Sequence, residues 1–271
     1  MIQTFKGFTP FEGSKESYEF TTKGFFIRKN IIPHLLIEKS IKKIETLQTE
    51  EINLFGEEFL RNSGELGQIR ALICRDPFFE IYCTTPFVDE ILKTYLLDTS
   101  ILHLMNGIVT TPNNLHNQAK FHRDLAKPFL TTPPLSINIF YALTEFTADT
   151  GGTWVVPGSH KLREFPSKEI IESTKVQIEC EAGDAIIFDS TLVHASGINF
   201  SDSKRYALNT QFTPAFLKQQ INLPMLAIEN ECVFADSKTI QRIGAHAIPP
   251  NNLKEFRYGI NGERTYRGNQ G

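Results

Sequence analysis

One tryptophan, three methionines and four cysteines are spread over 271 residues. Cys74, Cys83, Cys180 and Cys232 form neither a CxxC pair nor a zinc-finger spacing, which excludes a disulfide framework or zinc ribbon and predicts buried, reduced thiols. Neither charge is in excess: 28 basic residues stand against 31 acidic ones, for a net charge of −3. A function resting on bulk positive charge, such as wrapping nucleic acid or lying on an anionic membrane, is thereby excluded. No apolar run approaches the length of a membrane span; Ile31–Ile37 is among the longest and contains His34. Met1–Gly7 has neither the charged and apolar regions nor the cleavage site of a secretory signal, so a cytoplasmic location is expected. There is no internal repeat, low-complexity tract or long linker, and residues 1–271 read as a single domain.

Enough apolar material for a packed core is present, at 41% hydrophobic residues against 22% charged, and 22 of the residues are Phe. Residues 1–100 read as mainly helical. A short β-like run at Gly24–Ile27 precedes Pro33, a tolerated first-turn proline, with Ile37, Ile41 and Ile44 following at helical spacing. Pro86 opens a second amphipathic helix through Val88, Ile91, Leu92 and Tyr95, and Glu57–Ile73 suggests more helix, interrupted at Gly64 and Gly67. From Ile101 the texture changes to short apolar or alternating runs separated by turn residues: Ile101–Val109, Ser136–Leu143, Thr153–Val156, Lys175–Ile178, Ala185–Phe188, Leu192–Ser196 and Tyr206–Phe212. Many short strands without intervening helices predict an antiparallel sandwich or barrel over 101–215. Residues 216–271 read as irregular cover with one helix.

Four stretches carry chemistry. In Phe121-His122-Arg123-Asp124-Leu125 an extended backbone puts His122 and Asp124 on one face, where an imidazole nitrogen and a carboxylate oxygen can share an ion. His194 and Ser196 lie two residues apart on a later strand, after the turn at Gly183-Asp184. Two imidazoles and a carboxylate on one face of an octahedral ion leave three positions open, the arrangement of non-haem Fe(II) oxygen chemistry. Arg205 follows at the head of a strand that a turn would bring back beside the His194 strand, where it can clamp a carboxylate with paired hydrogen bonds. Thr150-Gly151-Gly152-Thr153-Trp154-Val155-Val156-Pro157-Gly158-Ser159-His160 forms a turn–strand–turn unit around the sole Trp.

Taken in order, HxD, GGT-W-VVPGSH, GD-x3-F, His and Arg eleven residues later, the chain resembles the phytanoyl-CoA dioxygenase family of Fe(II)- and 2-oxoglutarate-dependent oxygenases over roughly residues 20–215. The resemblance implies a mainly β fold with flanking α, a double-stranded β-helix or jelly roll. It implies His122, Asp124 and His194 as iron ligands, Arg205 and Ser196 on the distal carboxylate of 2-oxoglutarate, and Phe140 and Asn138 lining the co-substrate pocket. It further implies Fe(II), 2-oxoglutarate and O2 as participants, with ascorbate in support, and oxidation of a small-molecule C–H bond with release of succinate and CO2. Acyl-CoA, amino acid, natural-product intermediate and lipid substrates are all compatible. A carboxylate at Asp124 favours hydroxylation or another oxygenase outcome, such as desaturation or cyclisation, over halogenation, because related halogenases lack it.

The remaining histidines have structural readings: His34 on a helix surface, His116 in a polar loop, His246 in the tail, and His160 stabilising its own turn. His103 and Met105 share a strand face and precede HxD at a distance where, by the resemblance, the family touches co-substrate or substrate; core packing is the favoured reading for both. Lys120, Arg123 and Lys127 suit either an anion-attracting rim or an ordinary solvated one, and Ala126–Pro134 either a substrate-facing loop or a connection. Two other readings use the same residues: a non-catalytic jelly-roll metal-binding or sensing module, and zinc-assisted hydrolysis, which leaves Arg205 without a role.

Overall fold

The structure, a computed structural model, describes residues 12–112, 119–125 and 133–258. His116, Lys127 and most of the Ala126–Pro134 stretch lie outside the described residues. In the first hundred residues, helices α1 (Lys15–Lys23), α2 (His34–Phe55), α3 (Glu57–Asn62), α4 (Ile81–Thr84) and α5 (Pro86–Tyr95) surround strands β1 (Phe25–Arg28) and β2 (Gln68–Ile69). Local chemistry sets their ends. Ser14 caps α1 by accepting from Ser17 N, and Thr85 caps α5 from Val88 N with Pro86 in its first turn. Ile37, Ser40, Ile44, Leu47 and Glu51 recur every three or four residues along α2 and give it one buried face.

Then come β3 (Ile101–Thr110), β4 (Ile137–Ala142), β5 (Trp154–Val155), α6 (Lys168–Thr174), β6 (Val176–Gln177), β7 (Ala185–Asp189), β8 (His194–Ala195) and β9 (Arg205–Thr213). They form two antiparallel sheets, one of six strands in the order β1-β7-β4-β9-β3-β2 and one of three in the order β6-β5-β8. The alternation of the strands explains the layering. Ile137, Ile139 and Tyr141 of β4, with Tyr206, Leu208 and Phe212 of β9, pack on the helices. Their neighbours Phe140, Ala142 and Ala207 turn the other way, into a core shared with Val155 and Ile178 of the small sheet. Each large apolar side chain so enclosed contributes about 1.5–3 kcal/mol. The mainly β architecture with flanking helices is the one expected, and the helical third also donates both edge strands of the large sheet.

Two expectations change. Glu57–Ile73 is helical only to Asn62; Gly67 has φ +88 and approaches the Val109 carbonyl so closely that a Cβ there would clash, and the chain pairs with β3 as β2. Among its described residues the tail holds three short α-helices, α7 (Leu223–Glu229), α8 (Ser237–Arg242) and α9 (Leu253–Tyr258), where one helix was expected. All four cysteines are free, and three of them are buried. At the Gly183-Asp184 turn, Gly183 takes φ +97 and its carbonyl accepts from Ile31 N and Ile32 N. The Asp184 carboxylate accepts from Asn30 N (3.0 Å), Glu181 N (2.9 Å) and Lys29 Nζ (2.7 Å), so this turn docks the entry to α2. Among the described residues no helix is long and apolar enough to cross a membrane.

Candidate active site

His122 and His194 are joined by an isolated antiparallel bridge in which each backbone N–H donates to the other's carbonyl, at 2.9 and 3.0 Å. Their rings lie 4.4 Å apart between centroids. Nδ1 of His122 sits 2.7 Å from Lys120 O, and Nδ1 of His194 sits 3.0 Å from Leu192 O. A carbonyl accepts only, so each Nδ1 carries the proton and each Nε2 keeps its lone pair. Both Nε2 atoms face Asp124 Oδ1, at 3.3 Å from His122 and 3.7 Å from His194. The three ligand atoms lie within 4.8 Å of one another, and His122 Nε2 is buried with no well-formed hydrogen bond among the described residues. Two lone pairs and a carboxylate oxygen aimed at one point fit a ferrous ion bound on one face.

The electrostatics agree with that geometry. Burial pushes the Asp124 carboxyl up, but the two imidazoles and the Asn138 amide outweigh it and hold it below the usual carboxylate range. Burial also pushes His194 down, whereas for His122 the Asp124 carboxylate and the Lys120 carbonyl overcome burial and raise it.

The cleft that Asp124 and His194 line is shared with Ile108, Phe140, Phe188, Ser196 and Arg205. Arg205 is only 2% exposed. It donates to Gly151 O, to Thr110 Oγ1 at 3.0 Å and to Ser196 Oγ at 2.9 Å, and its guanidinium lies 4.6 Å from the centre of the Phe146 ring. All of these partners are neutral. Burial alone lowers its pKa to about 10. The route that brings it here differs from the one expected. β9 pairs with β3 and β4 in the large sheet, while β8 pairs with β5 in the small one, so Arg205 meets Ser196 across the sandwich. Asn199 makes the crossing possible by pinning the intervening loop to Thr110 O and Ser203 O.

The Gly-Gly of the Thr150–His160 stretch has a spatial reason. Gly151 takes φ +78, and a Cβ there would sit 2.7 Å from Gly197 O; one on Gly197 would sit 2.5 Å from Gly152 O. Three glycines thus pack backbone against backbone and set the Gly151 carbonyl on Arg205. His160 lies apart from the triad, 3.2 Å from Thr21 O.

Other sequence candidates are sorted by the structure. Phe140 lines the cleft, while Asn138, one position away on the same face of β4, turns its amide to Asp124. Arg123 is no rim cation: it donates to the carbonyls of Ser159, Leu162, Arg163 and Glu164. His103 and Met105 do not share a face, because a bulge between Leu102 and Leu104 shifts the register against β9. Met105 packs in the helix-side core, whereas His103 senses Asp124, is pushed down in pKa by burial, and keeps a buried Nδ1 without a partner among the described residues.

The sequence profile of the phytanoyl-CoA dioxygenase (PhyH) family matches residues 27–207. The chain belongs to that family. Membership makes it a non-haem iron, 2-oxoglutarate-dependent dioxygenase, and the family's HxD and distal His are in place. The uncharacterized protein Rv1501 of Mycobacterium tuberculosis is 34% identical over 255 residues, 92% of each chain. The iron/alpha-ketoglutarate-dependent dioxygenase ausO of Aspergillus calidoustus is 28% identical over 191 residues, 66% of this chain and 63% of its own. Among solved structures, the epimerase SnoN in complex with Fe3+, alpha ketoglutarate and nogalamycin RO superposes with a TM-score of 0.59 at 17% identity, over 78% of this chain and 88% of that one. That likeness shows the shared double-stranded β-helix fold.

Some members of the site escape sequence reading. Asn209, Gln211, Ser136 and Ser190 are polar side chains gathered behind Asp124. Their one sequence signal is period: Asn209 and Gln211 interrupt the strand Arg205–Thr213 at alternate positions, as Ser136 and Asn138 do before and within β4.

Proposed function

We propose that this protein hydroxylates an unactivated C–H bond of a small or medium organic molecule, with R–H, O2 and 2-oxoglutarate giving R–OH, succinate and CO2. His122, Asp124 and His194 hold Fe(II), and Arg205 with Ser196 holds the distal carboxylate of 2-oxoglutarate across the cleft. Phe140 and Phe188 flank the chain between them and keep water from it. The bound iron supplies the redox chemistry that couples 2-oxoglutarate decarboxylation to oxidation of the substrate. Nδ1 protons held by backbone carbonyls fix the tautomer in which each imidazole offers Nε2.

One observation carries this reading: a fully buried arginine whose partners among the described residues are all neutral lines the same cleft as Asp124 and His194. An uncompensated buried cation is costly, and a ligand carboxylate removes the cost. A metal-sensing module or a hydrolytic zinc site uses the triad but gives that arginine no purpose. Purified protein with Fe(II), ascorbate and O2 is expected to convert 2-oxoglutarate to succinate slowly, and faster when a substrate library supplies the right molecule. His122→Ala and Arg205→Ala should abolish the slow turnover; wild-type turnover in both variants would remove the assignment.

A further inference from the structure

Behind Asp124 runs a chain of buried polar side chains whose direction is fixed by proton count. Asn138 Oδ1 accepts the only hydroxyl proton of Ser190 at 2.5 Å. Ser190 Oγ, 2.7 Å from Ser136 Oγ, must therefore accept from Ser136. Ser136 has given its proton in that direction and accepts in turn from Gln211 Nε2 at 2.9 Å. At the other end Asn138 Nδ2 spends its two protons on Asp124 Oδ2 (2.9 Å) and Asn209 Oδ1 (3.0 Å). From Gln211 through Ser136 and Ser190 each donor points toward Asn138, whose amide passes one proton on to the accepting Asp124 carboxylate and the other to Asn209. Ser136, Asn138 and Ser190 are fully buried and Gln211 is 1% exposed, so no solvent competes for these bonds.

We propose that Asn138 is a positioning residue for Asp124. It occupies Oδ2 and turns Oδ1 alone toward the two imidazole Nε2 atoms, so that the carboxylate meets a metal through one oxygen. A carboxylate free to rotate could offer both oxygens and fill a position that the co-substrate needs. Ser190, Ser136 and Gln211 hold the Asn138 amide the right way round; reversed, its carbonyl would face the carboxylate. This rests on the triad binding an ion, as proposed above, and it gives Asn138 a task at the metal and none at 2-oxoglutarate.

The test titrates metal-free protein with Co(II) by calorimetry and visible absorption, with no 2-oxoglutarate present. Loss of a hydrogen bond to a ligating carboxylate should weaken binding by about 10- to 100-fold in Asn138→Ala. Ser190→Ala, which leaves Asn138 in place but loosens it, should move the affinity the same way by less, and both should alter the Co(II) absorption band. A merely structural role would lower the melting temperature and leave affinity and band unchanged. Binding by Asn138→Ala within about twofold of wild type overturns the inference. If that variant does not fold, Ser190→Ala decides by the same criterion. A wild-type protein that takes up no Co(II) overturns the metal reading itself, an outcome distinct from wild type and variants binding alike.

Discussion

Replacing Arg205 by methionine separates a ligand-binding arginine from a structural one. The side chain is enclosed, its three acceptors are neutral, and burial lowers its pKa to about 10. Hydrogen bonds to a charged donor are worth about 1.5–3 kcal/mol each, while an enclosed charge without a counterion costs several kcal/mol. The two oppose each other, so Arg205→Met should leave the stability of the ligand-free protein within about 2 kcal/mol of wild type. Ligand binding has no such cancellation. Truncating one member of a buried charge pair costs about 2–5 kcal/mol, or about 30- to 5,000-fold in Kd for 2-oxoglutarate. The assay is thermal unfolding with a divalent metal present, with and without 2-oxoglutarate. At about 100 times Kd the ligand adds about 2.7 kcal/mol, and a chain of this size moves about 2–4 °C per kcal/mol, so wild type should rise by about 5–10 °C. The variant should rise by no more than about 3 °C at the same concentration. A variant that loses many degrees on its own yet keeps the full ligand-dependent rise would refute the argument and make Arg205 a packing residue.

Gly151→Ala places a Cβ 2.7 Å from Gly197 O at φ +78; the left-handed backbone alone costs about 1–2 kcal/mol, and displacement of the Gly151 carbonyl should shrink the 2-oxoglutarate-dependent rise in the same thermal-unfolding assay. For Asp184, burial raises the pKa, but the Lys29 ammonium and the N–H groups of Asn30 and Glu181 outweigh it and leave it lowered. Its contribution is therefore complete above the unfolded carboxyl pKa of about 3.9 and is lost as pH falls through the lower folded value. Asp184→Asn should lose about 1–3 kcal/mol in denaturant melts at pH 7 and converge on wild type in strong acid; an equal deficit at both ends would contradict this. His103→Leu removes a buried Nδ1 without a partner among the described residues. It should leave Co(II) affinity unchanged and raise stability by about 1 kcal/mol, whereas a loss of stability would mean that the imidazole makes an interaction of its own.

What could be read from residues alone followed from period and turn chemistry. The helices around Ile37–Ile44 and Val88–Tyr95 and the seven strand runs after Ile101 announce themselves by spacing, and HxD places two donors on one face because alternation is a local property. The bridge between His122 and His194 is not local, and no spacing predicts that the two imidazoles face each other through paired backbone bonds. Sheet membership is non-local for the same reason: eleven residues from His194 to Arg205 suit a hairpin, yet the loop pinned by Asn199 leads to the opposite sheet. The bulge at His103 adds one residue to a strand and reverses the face of what precedes it, which the pattern of Ile101–Val109 does not reveal.

The edge strand β1 has a consequence for how the chain is made. Its partner is β7, with Phe25 opposite Phe188, so the two strands are 163 residues apart in order of synthesis. As the polypeptide leaves the ribosome, Phe25-Phe26-Ile27 must wait, apolar and without its ladder, until the Gly183-Asp184 turn and β7 emerge. At about 5–20 residues per second that interval lasts roughly ten to thirty seconds, within which early cover comes from α1, whose Phe20 ring meets Phe26, and then from Tyr95 of α5. Expression that slows translation between β1 and β7 should lower soluble yield more than the same delay placed after β9, because by then the large sheet has all six of its strands.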